Sequence, residues 1–287
     1  MPNCKRLILI PIAWFTLILT MPACQTLKND TNEEETANNL LETQKNVVID
    51  YLNHGQGDLA LKELRPLVAK YPQDVDFKNL LGLTYLSLQN FQMAQGLFEE
   101  AYRLDPKPHI ALNLSSAYLE NKQYARAMKL LKDLQASPQG KKYQYPERLQ
   151  HNIGIIALRM NKPKLAEKHF LLALQYNPFY YLSLMQLGQL YEKTNRSQLA
   201  LEQFEKARGA CLKCYDPMHA LVRQYLKRGE RKTALMLLEE YMMYKEVEPL
   251  DRGKARKLLA LAGRQNSPGD VSLRKPETTG DAGALPQ

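Results

Sequence analysis

Six alanines divide the middle of this chain into segments of nearly constant length: Ala60, Ala94, Ala127, Ala166, Ala200 and Ala234 follow one another at spacings of 34, 33, 39, 34 and 34. Other positions keep the same register. Nine residues before the alanines stand Tyr51, Tyr85, Tyr118, Ala157, Tyr191 and Tyr225, and thirteen before them Val47, Leu81, Leu114, Ile153, Leu187 and Leu221. Four residues after them come Leu64, Phe98, Leu131, Phe170, Phe204 and Leu238. A period of this length marks a small structural unit that buries its apolar side only by stacking on its neighbours. The expected fold is therefore all-α, with two antiparallel helices per copy and copies starting near Leu41, Val75, Pro108, Glu147, Tyr181 and Tyr215.

The small residues explain how the paired helices come close. Gly82, Ser115, Gly154 and Gly188, twelve before the alanine, join the alanine itself at the contact. Val48 and Val222 hold that position in the first and last copies, which suits terminal repeats that pack on one side only. Pro72, Pro106 and Pro178 are expected to stop second helices, and Pro163 to begin one where its missing N–H does no harm. Pro66 lies inside the second helix of copy one and should kink it or end it early. The spacing of 39 implies about five additional residues near Lys142 to Pro146. Gly55-Gln56-Gly57 reads as turn chemistry. Asp251 to Ala262 carries Leu258, Leu259 and Leu261 among Lys and Arg, the pattern of a short amphipathic capping helix.

The first 23 residues read as an export signal, with Lys5 and Arg6 ahead of an apolar core from Leu7 to Leu19 that is too short to span a bilayer comfortably. Ala23-Cys24 resembles a lipoprotein cleavage site, which makes Cys24 the expected lipidation site. An ordinary cleaved signal and an uncleaved anchor are the alternatives. Residues 24–40, polar and containing Glu33-Glu34-Glu35, are expected to form a flexible tether, 41–262 the repeat domain with its cap, and 263–287 a disordered tail. The formal charge of +9 falls to +7 without the signal. Export argues against nucleic acid as a partner, and a mildly basic exported protein meets anionic headgroups or acidic protein surfaces instead.

Catalytic signatures are missing: there is no phosphate-cradling glycine loop, no nucleophile elbow and no pair of His at metal-binding helical spacing. The chain is expected not to be an enzyme and to hold no cofactor or metal. His54 and His109 fall near turns, His169 on an outer face, and His151 and His219 on first helices, all read as solvated side chains. Cys211-Leu-Lys-Cys214 sits in the turn where other copies place Pro. A zinc site needs two further ligands and a thioredoxin-like role a βαβ setting. In an oxidising compartment the leading reading is a disulfide closing a four-residue loop, with free thiols and a redox or metal role as alternatives.

The repeat pattern resembles the tetratricopeptide repeat, a resemblance covering about 41 to 248, and implies a right-handed superhelix of about six copies. Such a superhelix offers a concave groove built from first helices. The groove position eleven before the alanine, commonly Asn in these repeats, here reads Ile49, Leu83, Ser116, Ile155, Gln189 and Arg223, and a neighbouring position adds Leu86, Leu119 and Leu158. The groove is therefore expected to be apolar over its N-terminal two-thirds and polar at its C-terminal end, fitting the apolar face of a helix or an extended segment. Coverage of these side chains by neighbouring helices or by the chain's own tail is the alternative. The Lys-Asn arrangement that grips C-terminal carboxylates in some repeat proteins is not assembled, since Lys45 is followed one turn later by Ile49.

Tyr145-Pro-Glu-Arg148 with Asn152-Ile-Gly154, Met160-Asn-Lys-Pro163, Ala166 and His169-Phe170, together with the five-residue insertion, is similar to the outer-membrane lipoproteins of type IV pilus biogenesis, the pilotins of the PilF/PilW type. The resemblance implies a non-enzymatic monomer, lipid-anchored on the periplasmic face of the outer membrane, that binds secretin subunits and promotes their localisation and multimerisation. Gln25 after Cys24 suits outer-membrane sorting. A general envelope scaffold organising proteins such as peptidoglycan hydrolases, and a redox helper built on Cys211 and Cys214, are the other two readings.

Overall fold

The computed structural model describes residues 39–264, and among them every regular element is a helix. Helix α1 covers 39–53. It is followed by α2 (Gly57–Lys70), α3 (Val75–Ser87), α4 (Phe91–Leu104), α5 (Pro108–Glu120), α6 (Tyr124–Ala136) and the short α7 (Pro138–Lys141). Then come α8 (Pro146–Arg159), α9 (Pro163–Tyr176), α10 (Tyr181–Lys193), α11 (Ser197–Ala210), α12 (Tyr215–Lys227), α13 (Arg231–Met243) and α14 (Pro249–Arg264). Six antiparallel pairs stack in chain order, each second helix also touching the first helix of the next pair, and α14 closes the stack. This is the all-α solenoid that the period predicts. The core is accordingly elongated: one cluster runs from Ala94 to Leu221, with a smaller cluster at each end.

The contact inside each pair obeys a rule of volume. Gly82, Gly154 and Gly188 each lie against the ring of Phe98, Phe170 and Phe204 respectively, so closely that a Cβ there would stand 2.4–2.5 Å from a ring carbon. The other three copies place Leu64, Leu131 and Leu238 where those rings sit, and their small positions hold Val48, Ser115 and Val222, all buried. Val48 and Val222, in the two terminal repeats, thus share with Ser115 of the third repeat a leucine partner in place of a ring. Each buried ring contributes on the order of 2–3 kcal/mol by burial alone, and the glycine is what admits it.

The turn within each pair is equally regular. Five residues before each alanine the backbone is left-handed, at Gly55, Gln89, Lys122, Asn161, Asn195 and Gly229, with φ between 56° and 77°. Only two of the six are glycine, so the repeat holds Gln89 and Lys122 in a conformation that non-glycine residues otherwise avoid. Gly57 does more than turn: it is the buried first residue of α2, and a Cβ there would meet Ser87 Oγ of the next repeat at 2.7 Å.

Other expectations are sharpened. Of the two outcomes expected of Pro66, an early end does not occur: α2 continues to Lys70 and matches α4 in length. Pro66 and Lys62 are exposed, so the carbonyl that loses its partner faces water, while the buried Leu64 and Leu67 hold the helix on either side. The insertion begins at Ser137 rather than Lys142 and forms α7, capped by Ser137 Oγ accepting from Gly140 N at 3.0 Å. In α14 the buried side is Ala255 and Ala262 with Leu258 and Leu259 partly covered, and Leu261 points outward. Pro72, Pro106, Pro178 and Pro163 occupy the helix ends expected of them.

The volume rule gives a direct test. Gly154→Val is expected to overpack the α8–α9 contact and destabilise the protein by about 1–3 kcal/mol, and Phe170→Leu added to it to recover most of that loss. A double-mutant cycle in urea unfolding measures the coupling; additive losses would show that the two positions do not share one volume.

Candidate functional site

The first helices α1, α3, α5, α8, α10 and α12 carry the expected groove residues, and none of those residues is buried. Ile49 is 42% exposed, Gln189 and Arg223 are exposed, and Leu83, Leu86, Ser116, Leu119, Ile155 and Leu158 are half-buried, resting on the core with one side open. Ser116 and Leu119 of α5 meet Ile155 of α8 around a dimple of about 70 Å³ that Asn152 also lines. Half-burial follows from the helix period: position eleven before the alanine lies one residue from the small position that faces the second helix, so its side chain leaves the core at the groove wall.

The two ends of the groove are polar and held by ion pairs. At the N-terminal end Lys45 Nζ reaches Glu42 at 2.9 Å and Asp76 of α3 at 3.3 Å, so this lysine is engaged by the chain's own acids. At the C-terminal end Glu192 of α10 accepts from Arg223 at 2.6 Å and from Lys227, both on α12. Burial opposes the charge on Glu192, yet the two cations outweigh it and hold its carboxyl below the ordinary value. Between the ends, Asn113 Nδ2 donates to Asn79 Oδ1 at 2.8 Å and ties α5 to α3.

His151 departs from the expectation of solvated histidines. It is buried on α8, with Nδ1 3.0 Å from Ser183 Oγ of the next repeat and its ring 5.6 Å from Phe170 and 5.4 Å from Tyr180. Burial pushes its pKa down to about 4. His169 is half-buried, with Nδ1 2.8 Å from Gln150 Oε1. No group of three or more His, Cys, Asp or Glu suited to a metal ion occurs among the described residues.

Cys211 and Cys214 form a disulfide across the turn between α11 and α12, with Cα atoms 5.4 Å apart. The same turn is pinned from below, where the buried Tyr241 donates its hydroxyl to the Lys213 carbonyl at 3.1 Å. The disulfide therefore lies in the turn that links the last two repeats and sits apart from the groove residues of α3, α5 and α8. Cys24 lies outside the described residues, as do the signal segment and most of the tether and tail. No described helix is long and apolar enough to cross a membrane.

A second cavity was not anticipated. On the side of the second helices, Leu171 and Leu174 of α9, Phe179 of the following turn, and Gln203, Lys206 and Ala210 of α11 enclose a cleft of about 560 Å³. Phe179 is 76% exposed at its rim. The signal in the sequence was Phe179 directly after Pro178, a large apolar residue placed in a turn where only polar ones are needed.

The tetratricopeptide repeat family model matches residues 48–107, 80–141 and 151–211. The chain belongs to the tetratricopeptide repeat family. Comparison with curated proteins gives no match. Among solved structures this tetratricopeptide repeat protein resembles PilF of Pseudomonas aeruginosa at 17% identity, TM-score 0.54, over 76% of this chain and 96% of that one. It also resembles PilW, a widely conserved type IV pilus biogenesis factor, at 15% identity, TM-score 0.58, over 76% and 97%. Human IFIT1 bound to m7Gppp-AAAA matches at 16% identity and TM-score 0.54, over 67% of this chain and 47% of its own. At these identities what is shared is the fold.

Two outcomes follow from the geometry. The folded state resists a proton on His151 that the unfolded chain accepts near pH 6.5, so this site's stabilisation is complete above about pH 6.5 and is lost as the pH falls toward 4. Urea midpoints should therefore drop between pH 7 and pH 5, and His151→Gln should drop less; an equal drop would place the effect elsewhere. Replacing both Cys211 and Cys214 by Ser should cost about 2 kcal/mol, as expected for a four-residue loop, measured by unfolding under oxidising conditions.

Proposed function

We propose that this protein is an outer-membrane lipoprotein of type IV pilus biogenesis, acting as a pilotin: it captures secretin subunits in the groove of its first helices and promotes their multimerisation. The observation that carries the reading is the extent of the likeness to PilF and PilW, which takes in 96% and 97% of those chains, whereas IFIT1 matches over less than half of its own. A six-repeat solenoid of the same reach, with an insertion between its third and fourth repeats, fits a relative of the whole protein rather than a shared module.

The groove suits the task physically. Leu83, Leu119 and Ile155 offer half-buried apolar surface for the apolar side of a helix or extended segment. The Glu192–Arg223–Lys227 cluster at the far end supplies charges that fix the direction of a bound segment. Lipidation at Cys24 would hold the domain at the periplasmic face of the outer membrane, and the segment 24–40 would raise the local concentration of the captured subunit. Binding and localisation are the whole of the activity proposed, so no catalytic residue is assigned.

The test compares the heat-resistant secretin multimer in outer-membrane fractions from cells with and without the gene, and with Leu119→Glu, Ile155→Glu. Loss of the multimer with accumulation of monomer in both altered strains is expected. An unchanged multimer without the gene would overturn the pilotin reading in favour of a general envelope scaffold. Loss caused by Phe179→Ser but not by the groove pair would move the contact to the outer cleft.

A further inference from the structure

The turns that join the two helices of each repeat lie side by side along one edge of the solenoid. Successive turns touch: Asn121 donates to the Phe91 carbonyl at 3.0 Å, Arg228 to Gln198 at 3.1 Å, and Gly57 packs on Ser87. Along this edge the charge is one-sided. The turn segments 120–126, 159–165, 193–199 and 227–233 hold eleven Lys and Arg against two acids, Glu120 and Glu230. The corresponding segments of the first two repeats, 53–59 and 87–93, hold no Lys or Arg. On the opposite edge the segments 70–76, 104–109, 136–147, 176–181, 210–216 and 243–249 hold six basic and seven acidic residues, an even balance.

Pairing within the protein accounts for only part of this excess. Arg196 is bound bidentately to Glu167, Lys227 pairs with Glu192 and Arg228 with Glu230. Lys122, Arg159, Lys162, Lys164, Lys193 and Lys232 are exposed and form no ion pair among the described residues. Five of these six are lysines, flexible point charges rather than the planar forks that recognise a shaped carboxylate or phosphate. They are spread over four repeats, and neither the groove dimple nor the outer cleft is built from them. An arrangement of spread, unpaired cations, of which Lys164 alone borders a cleft, one that it shares with Glu167 and Lys168, matches an extended anionic surface better than a discrete ligand.

From this we infer that the intra-repeat turn edge of repeats three to six is a docking surface for a bilayer leaflet rich in anionic headgroups. The edge would rest the C-terminal two-thirds of the solenoid against the membrane and leave the groove, which opens along the first helices, free for a protein. The inference depends on the charge pattern alone and goes beyond the proposed role in pilus assembly: a secretin multimer that does not respond to the gene leaves it intact, and absent lipid binding leaves the groove intact.

The test uses the chain from residue 24 onward with Cys24→Ser, which contains all the described helices and carries no acyl chain. Cosedimentation with vesicles of phosphatidylethanolamine containing phosphatidylglycerol is compared with neutral phosphatidylcholine vesicles. Binding to the anionic vesicles only is expected, weakening as salt shortens the screening length. Arg159→Gln, Lys162→Gln, Lys164→Gln, Lys193→Gln together should lower the partition coefficient by about tenfold or more. The same number of charges removed from the opposite edge, at Lys70, Lys141, Lys142 and Lys213, should lower it by less than about twofold. Circular dichroism melts of both variants establish that they are folded. Equal losses from the two edges, or no binding to anionic vesicles, would overturn the inference. Binding to an acidic peptide of residues 25–39 but not to vesicles would also overturn it, assigning the edge to the chain's own Glu33-Glu34-Glu35.

Discussion

In every repeat the second helix presses one side chain, four residues after its alanine, into the first helix, and the rest of the solenoid depends on that contact. The alanine lets the helices approach, and the small position twelve residues earlier decides how large the inserted side chain can be. Where the small residue is glycine the insert is Phe98, Phe170 or Phe204; where it is Val48, Ser115 or Val222 the insert is leucine. Six copies thereby build the same antiparallel pair with two chemical solutions, and the pairs with glycine bring their helices closer together than α5–α6 or α12–α13. A pair built on one plan lets a like surface be presented again to the next pair, which is what a stack of repeats requires.

From that constraint the groove follows. A first helix whose inner side is fixed by the glycine or serine must turn the next residue toward the open side, and that residue is Leu83, Ser116 or Ile155 in the middle repeats. Half-buried apolar side chains there cost little in the unbound protein, because their inner surface already rests on the core. They still leave one side open to solvent. The polar C-terminal end is closed differently, by Arg223 and Lys227 reaching back to Glu192 across one repeat boundary.

The fold was legible because the period reports stacking directly: helix starts, the proline stops and the cap were all read within a residue or two. That the residues eleven before the alanine lie on the open side of the first helices was legible for the same reason, as a fixed offset. What escaped were features set by contacts between copies. His151 looks like a surface residue in one dimension, and the ring of Phe170 together with Tyr180 and the hydroxyl of Ser183 from the next unit buries it. Pro66 looks like a break, yet burial of Leu64 and Leu67 overrides the lost hydrogen bond. The compensation between glycine and phenylalanine was visible in the aligned copies but needed the packed ring to give it meaning.

A solenoid separates its surfaces more completely than a globule does, because each residue offset maps to one side of the stack along its whole length. Here the first helices carry half-buried apolar side chains between polar ends, the second helices carry the cleft at Phe179, one edge carries unpaired cations and the other a balanced mixture. Substitutions on one side therefore leave the spacing contact untouched and act nearly independently of those on another. The first two repeats lack basic residues in the turns inside their helix pairs and the last four have them, while the alanine and its partners persist through all six. The edge charge thus differs along the stack while the packing pattern does not, and it is the non-uniform surface, rather than the repeated core, that carries information about what the solenoid meets.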